Sequence, residues 1–237
     1  MLPEIARQIK KLQYEVERLK TFDVPRDSFG WINPFETWVY SAATTIAISG
    51  DKTSKYTVGD KIRLVDGGSP EYFYIVSLSY SAPNTYINLS PNSDYSLSGG
   101  AITANYYSKE ATPAGFPHWL NYAPTLDGFS ANPTNTVYRF MLVGRKVTVC
   151  VRQLTAGTSD ATDFTITAPM TAATIANMVW GAATWSHDDN GAALTTPGRA
   201  FITSGSGTIT IGKDSASSTT WTNANGKRTN FTLEYEI

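Results

Sequence analysis

The sequence predicts a mainly β protein: a short N-terminal parallel coiled coil, a small β-barrel or sandwich domain, and a C-terminal jelly-roll-like β-sandwich. Three observations carry that expectation. Short runs in which apolar and polar residues alternate recur from residue 38 to the end, as strands with one buried face require. Turn formers such as Gly50-Asp51, Gly59-Asp60, Asp66-Gly67-Gly68 and Asn190-Gly191 punctuate those runs. The first twenty residues break the pattern with a helical periodicity.

In that opening, MLPEIARQIKKLQYEVERLK, the apolar residues Leu2, Ile5, Ile9, Leu12, Val16 and Leu19 recur at alternating steps of three and four. This is a heptad seam, narrower than the stripe a helix lays on a globular core. With Leu2 at position a, Glu15 falls at g and Lys20 at the following e, the pair that meets across a parallel interface. Residues 1–22 are therefore expected to oligomerise in parallel, with a helix docked on its own β domain as the alternative. A helix this short is marginal alone in water, so the downstream regions must also associate.

Residues 23–37 form a connector. Pro25 and Pro34 stop the helix, while Phe29, Trp31 and Phe35 are too apolar for a free linker. Residues 38–108 are expected to be the small β domain. TIAIS and KIRLV alternate, and YFYIVSLSY sets Tyr72, Tyr74, Val76, Leu78 and Tyr80 on one face with Phe73 and Ile75 on the other, so its first half is buried on both sides. SAPNT then turns it into a hairpin with YINLS. A second Pro/aromatic connector, 109–124, carries Phe116, Trp119 and Tyr122.

Residues 125–237 form the C-terminal domain. Its candidate strands are VYRFMLVG, KVTVCVRQL, DFTITAP, MVWGAATWS, RAFIT, GTITIGK and NFTLEYEI. The last points Phe231, Leu233, Tyr235 and Ile237 one way and Thr232, Glu234 and Glu236 the other, which ties the C-terminus into a sheet. Short antiparallel strands in this number fit a jelly-roll-like sandwich. Some jelly rolls, such as the tumour-necrosis-factor-like type, assemble as trimers through aromatic strand faces, and this tips the expected oligomer to three.

Composition narrows the function. Of 237 residues, 19 are Lys or Arg and 20 are Asp or Glu, giving a formal charge of −1 and no electrostatic footprint for nucleic acid. No run is long and apolar enough to insert in a bilayer, and the start lacks the pattern of a signal peptide. One cysteine, Cys150, and two histidines, His118 and His187, leave no internal disulfide and little material for a metal site, so no cofactor and no metal are expected.

Chemistry has few candidates. His187-Asp188-Asp189-Asn190-Gly191 is where a histidine and carboxylates cluster; it reads as a surface turn on the exposed tip 186–198, with a weak metal or acid/base site as the alternative. Cys150, inside the apolar run VTVCV, reads as a structural thiol. No Gly-x-Ser-x-Gly nucleophile elbow occurs, and no catalytic residue is assigned. Aromatic rings stack on sugar faces, which makes Trp180, Trp185 and Trp221, beside His187, Asp188 and Asp189, the candidate ligand contacts.

The stretch VGDKIRLVDGGSPEYFYIVSLSY with its continuation to YYSKEATPAGFPHWLNY, and the terminal GTITIGKDSASSTTWTNANGKRTNFTLEYEI, resemble bacteriophage virion appendages, namely tail fibres, receptor-binding proteins and head fibres. The resemblance is one of layout over most of the chain. His-x-His shaft repeats and parallel β-helix repeats are missing from it, which favours a compact trimeric appendage over a long fibre. It implies a non-enzymatic homotrimer in the virion, made in the host cytoplasm, attached to tail or capsid proteins through its N-terminal region and displaying a C-terminal β domain to a host-surface glycan or protein. A capsid head fibre or decoration protein is an alternative within that class; a polysaccharide-degrading tailspike and a carbohydrate-binding module are alternatives outside it.

Overall fold

The computed structural model describes residues 8, 10–13 and 29–237. Leu2, Ile5, Ile9, Glu15, Val16, Leu19 and Lys20 of the heptad reading lie outside the described residues. Leu12 falls in a helical stretch and is 64 % exposed. The described chain is mainly β, with curled antiparallel sheets.

The N-terminal sheet is built from β1 (Trp38–Ala42), β2 (Thr45–Ser49), β3 (Lys61–Asp66), β4 (Pro70–Ser81), β5 (Asn84–Leu89) and β6 (Ile102–Ser108), in the order β1-β2-β5-β4-β3-β6. Its curl has a local cause. The first half of β4 pairs with β3 and the second half with β5, and the register shifts between Ile75 and Ser77. Such a bulge bends a strand and increases its twist. The two edges, β1 and β6, consequently approach one another around a core of Trp38, Ile46, Ile48, Tyr56, Ile62, Phe73 and Ile87.

The bulge also corrects the expected faces of β4. Tyr72, Tyr74 and Val76 do share a face, turned toward the C-terminal core. Beyond the shift the alternation slips by one residue, so Leu78 joins Phe73 and Ile75 on the N-terminal core while Tyr80 is exposed. An inserted residue reverses every later side chain, and periodicity cannot report it.

The C-terminal region has two sheets. The larger runs β16 (Ala192–Ala193), β15 (Ser186–Asp189), β19 (Gly226–Glu236), β11 (Lys146–Thr155), β10 (Thr134–Val143) and β7 (Leu120–Asn121), with β12 (Gly157–Ser159) bridging β19 and β9 (Phe129–Ala131). The smaller runs β14 (Val179–Ala183), β17 (Arg199–Thr203), β18 (Thr208–Gly212), β13 (Thr165–Thr167) and β8 (Leu126–Asp127). Phe140, Leu142, Val147, Val149, Val151, Phe231, Leu233 and Tyr235 of the larger sheet meet Ile166, Ala200, Ile202, Ile209 and Ile211 of the smaller in one buried cluster. Each of the seven candidate strand segments read from the sequence contains a strand. The final strand alternates as expected, and Ile237 is held by its backbone amide to Arg145 O at 2.9 Å and by Arg145 Nε donating to its own carbonyl oxygen at 2.5 Å.

The two regions share packing. Trp31 from the first connector and Phe116 from the second close on Tyr72 and Tyr74, and Tyr74 continues to Phe140 with ring centroids 6.2 Å apart. The Trp31 indole donates to Ala114 O at 2.9 Å, joining the connectors directly. Gly59 approaches the Gly144 carbonyl in the turn between β10 and β11 so closely that a Cβ there would collide with it. The described part of each connector is thus ordered, and the second already contributes β7 to the larger sheet.

Candidate functional site

The His–Asp cluster is not a surface tip. Asn190 and Gly191 do form a turn, with φ of +53° and +77°, between β15 and β16. The three residues before them belong to β15, and His187 and Asp189 are 3 % and 4 % exposed. Pairing of β15 with the first half of β19 carries them inward, a non-local event that the turn-forming composition conceals.

Inside, every polar atom of the pair is occupied. His187 Nε2 lies 3.2 Å from Lys213 O, and Nδ1 lies 3.0 Å from Thr184 Oγ1. A carbonyl oxygen only accepts, so Nε2 carries the proton; Nδ1 then accepts from the Thr184 hydroxyl, whose oxygen itself accepts from Gly198 N. Desolvation by burial pushes the imidazole below its ordinary pKa, against the Lys213 carbonyl and the Asp188 and Asp189 charges. Asp189 accepts from Thr222 N at 3.0 Å and Thr222 Oγ1 at 2.8 Å and pairs with Lys213 Nζ at 2.5 Å. Burial by itself would raise its carboxyl, yet these partners hold it below the usual carboxylate value. Asp188 pairs with Arg228 at 2.6 Å.

This bracing fixes the 213–222 loop, which is rigid on its outer side too. The Asp214 carboxylate accepts from the amides of Ala216, Ser218 and Thr219 and from the hydroxyls of Ser218 and Thr219, and these bonds hold its pKa well below the ordinary range. The loop divides two grooves at one end of the smaller sheet. One, of about 360 Å³, is lined by Gly181, Ala182, Ala183, Pro197, Gly198, Arg199 and Ser215. The other, of about 210 Å³, is bordered by Asp127, Asp163, Thr165, Thr210, Ser217 and Thr219.

The first groove holds one charged side chain. Arg199 and Phe201 are separated by a single residue on β17, so both project from the outer face while Ala200 and Ile202 enter the core. The guanidinium carbon sits 4.8 Å from the Phe201 ring centroid. Across the strand pair, Gly181 faces Phe201 and Ala183 faces Arg199. A Cβ on Gly181 would come within 3.2 Å of Arg199 Nε, so the glycine lets the guanidinium lie against β14.

The three tryptophans have three fates. Trp221 is 3 % exposed, donates to Ile211 O at 2.7 Å and packs on Phe164, so it is core. Trp180 lies half-buried against the same core. Trp185 is 61 % exposed in the short link from β14 to β15. Of the candidate contacts, then, His187, Asp189 and Trp221 are internal and Trp185 is presented outward. Arg199, Gly181 and Ser215 were not singled out by sequence reasoning; the available signal was the Arg-x-Phe spacing in RAFIT, which puts both side chains on one strand face.

Among the described residues no cluster of three or more His, Cys, Asp or Glu side chains could hold a metal ion, and no described helix is long and apolar enough to cross a membrane. Comparison with family models, with curated proteins and with solved structures gives no match for the chain.

Proposed function

We propose that the chain is a non-enzymatic bacteriophage virion protein: a homotrimeric fibre or receptor-binding appendage, fixed to tail or capsid proteins through its N-terminal region and displaying a C-terminal jelly-roll-like domain for host-surface binding. The observation that carries this reading is the use of the His187–Asp189 pair as internal bracing. The cluster with the composition of an acid/base site has its proton positions assigned to structural hydrogen bonds, while the grooves it supports open outward. Such a site holds a ligand by shape.

Two further features support it. From β13 onward the chain moves between two facing sheets, with β13, β14, β17 and β18 in the smaller and β15, β16 and β19 in the larger, which is compatible with a sandwich of the jelly-roll kind. Leu12, a d position of the heptad seam, is exposed in the single chain and open to a partner helix. Three displayed copies would raise avidity for a repetitive surface without strong single contacts.

Light scattering on the intact protein tests the assembly. Three times the chain mass is expected, and replacing Ile9 and Leu12 with Asp should loosen that trimer, because charges at a and d positions cannot be buried unpaired. A monomeric wild-type protein would overturn the trimer. Antibody against the C-terminal domain should label virions, and unlabelled virions would overturn the display.

A further inference from the structure

We propose that the Arg199 groove is a receptor site for a singly charged oxyanion on a compact polar body, and that its ligand is a carboxylate-bearing sugar such as a uronic acid. This deepens the display reading and rests on it for its biological setting, though the chemistry is local to one chain.

Arg199 is a cation with no counter-ion among the described residues. Arg199 is partly buried, and among the described residues its guanidinium makes no hydrogen bond or ion pair; its contact is with the Phe201 ring at 4.8 Å. A stacked guanidinium keeps its N–H edge free, and the planar fork matches a carboxylate with two parallel hydrogen bonds. Contact with the Phe201 ring and the room left by the missing Cβ of its cross-strand neighbour Gly181 orient the fork before any ligand arrives. That lowers the ordering cost of binding.

The rest of the lining selects the body of the ligand. Gly181, Ala183 and Pro197 offer a shallow C–H floor, and Ser215 lines it from the loop that Asp214 stiffens. A sugar ring presents one C–H face and a rim of hydroxyls, which suits that division. A volume of about 360 Å³ is at the small end of ligand sites, enough for a short saccharide stretch and too small for a bulky apolar group. One cation on a chain of net charge −1 selects against polyanions of high charge density.

The test uses the full chain, with titration calorimetry and the Arg199 side-chain NMR signal as readouts. The ligands are galacturonic acid, galactose and glycerol phosphate. Galacturonate is expected to bind, to shift the Arg199 signal and to weaken as salt is added, whereas neutral galactose should bind at least about tenfold more weakly. R199Q should lose about tenfold or more, R199K should recover only part because it keeps the charge without the fork, and G181V should weaken binding by displacing the guanidinium. Unchanged circular dichroism in each variant separates loss of site from loss of fold. Equal binding of the neutral and the acidic sugar, an unaffected R199Q, or no binding of any of the three would overturn the proposal. Glycerol phosphate binding better than galacturonate would overturn the sugar-acid assignment in favour of a phosphate ester. Labelled virions whose protein ignores galacturonate would overturn the groove and keep the display; galacturonate binding by a protein missing from virions would do the reverse.

Discussion

Replacing Asp189 with Asn removes one charge with almost no change of shape, and the structure sets what that should cost. The carboxylate accepts three times, from Thr222 N, Thr222 Oγ1 and Lys213 Nζ, and its side chain is 2 % exposed. An amide has one acceptor oxygen and turns an NH2 donor toward groups that are themselves donors. Breaking a buried ion pair by removing one partner costs about 3–5 kcal/mol. Lys213 is a quarter exposed and can recover some hydration, which brings the expected loss to about 2–3 kcal/mol. In urea, with a slope of about 2–3 kcal/mol per molar, the midpoint should fall by ~1 M. Trp221 is the natural reporter, since its ring lies 6.2 Å from His187 beside the bracket. The Asp189 pKa is depressed in the fold, so its contribution is complete above the unfolded carboxylate value of 3.8 and disappears as pH falls through the folded value. Wild type and variant should therefore converge in strong acid. A midpoint for D189N within error of wild type at pH 7 would refute the bracing role of the cluster, and with it the reason given for reading the site as a binding surface.

His187 makes the opposite kind of pH statement. Burial lowers its pKa below 6.5, the unfolded chain binds more protons between the two values, and stability is therefore full above about 6.5 and declines as pH falls toward the folded value. Thermal melts should show that decline in wild type and a flatter profile in H187Q, which can still donate to Lys213 O; equal slopes would assign the effect elsewhere. At the junction of the two β regions, G59A should destabilise by about 2 kcal/mol or more. Its Cβ meets the Gly144 carbonyl, and a φ of +92° is strained for any L side chain. Urea denaturation reads the loss, and an unchanged midpoint would mean that the close approach of these turns contributes nothing.

The sequence by itself determined the local half of this protein. Alternation located the strands at TIAIS, KIRLV, RAFIT, GTITIGK and NFTLEYEI, because a strand with one buried face must repeat every two residues wherever its partners lie. Of the connector aromatics that suggested packing, Trp31, Phe116 and Tyr122 are buried, whereas Phe29 and Phe35 are 61 % and 73 % exposed, since composition marks an apolar side chain without saying which one finds cover. Asn190-Gly191 named its own turn through backbone freedom. Tertiary structure alone decided where polar residues went. His187 and Asp189 are buried because Lys213 and Thr222, 26 and 33 residues away, supply the partners that make burial affordable. Leu78 changed face because one extra residue near Val76 lets β4 serve two neighbours in succession. Arg199 became a candidate receptor only when β14 set a glycine against β17 and the braced loop brought Ser215 to the groove. Periodicity is a property of neighbouring residues and can be read along the chain, whereas strand pairing and the satisfaction of a buried charge join distant residues, so each is settled only when the sheets close.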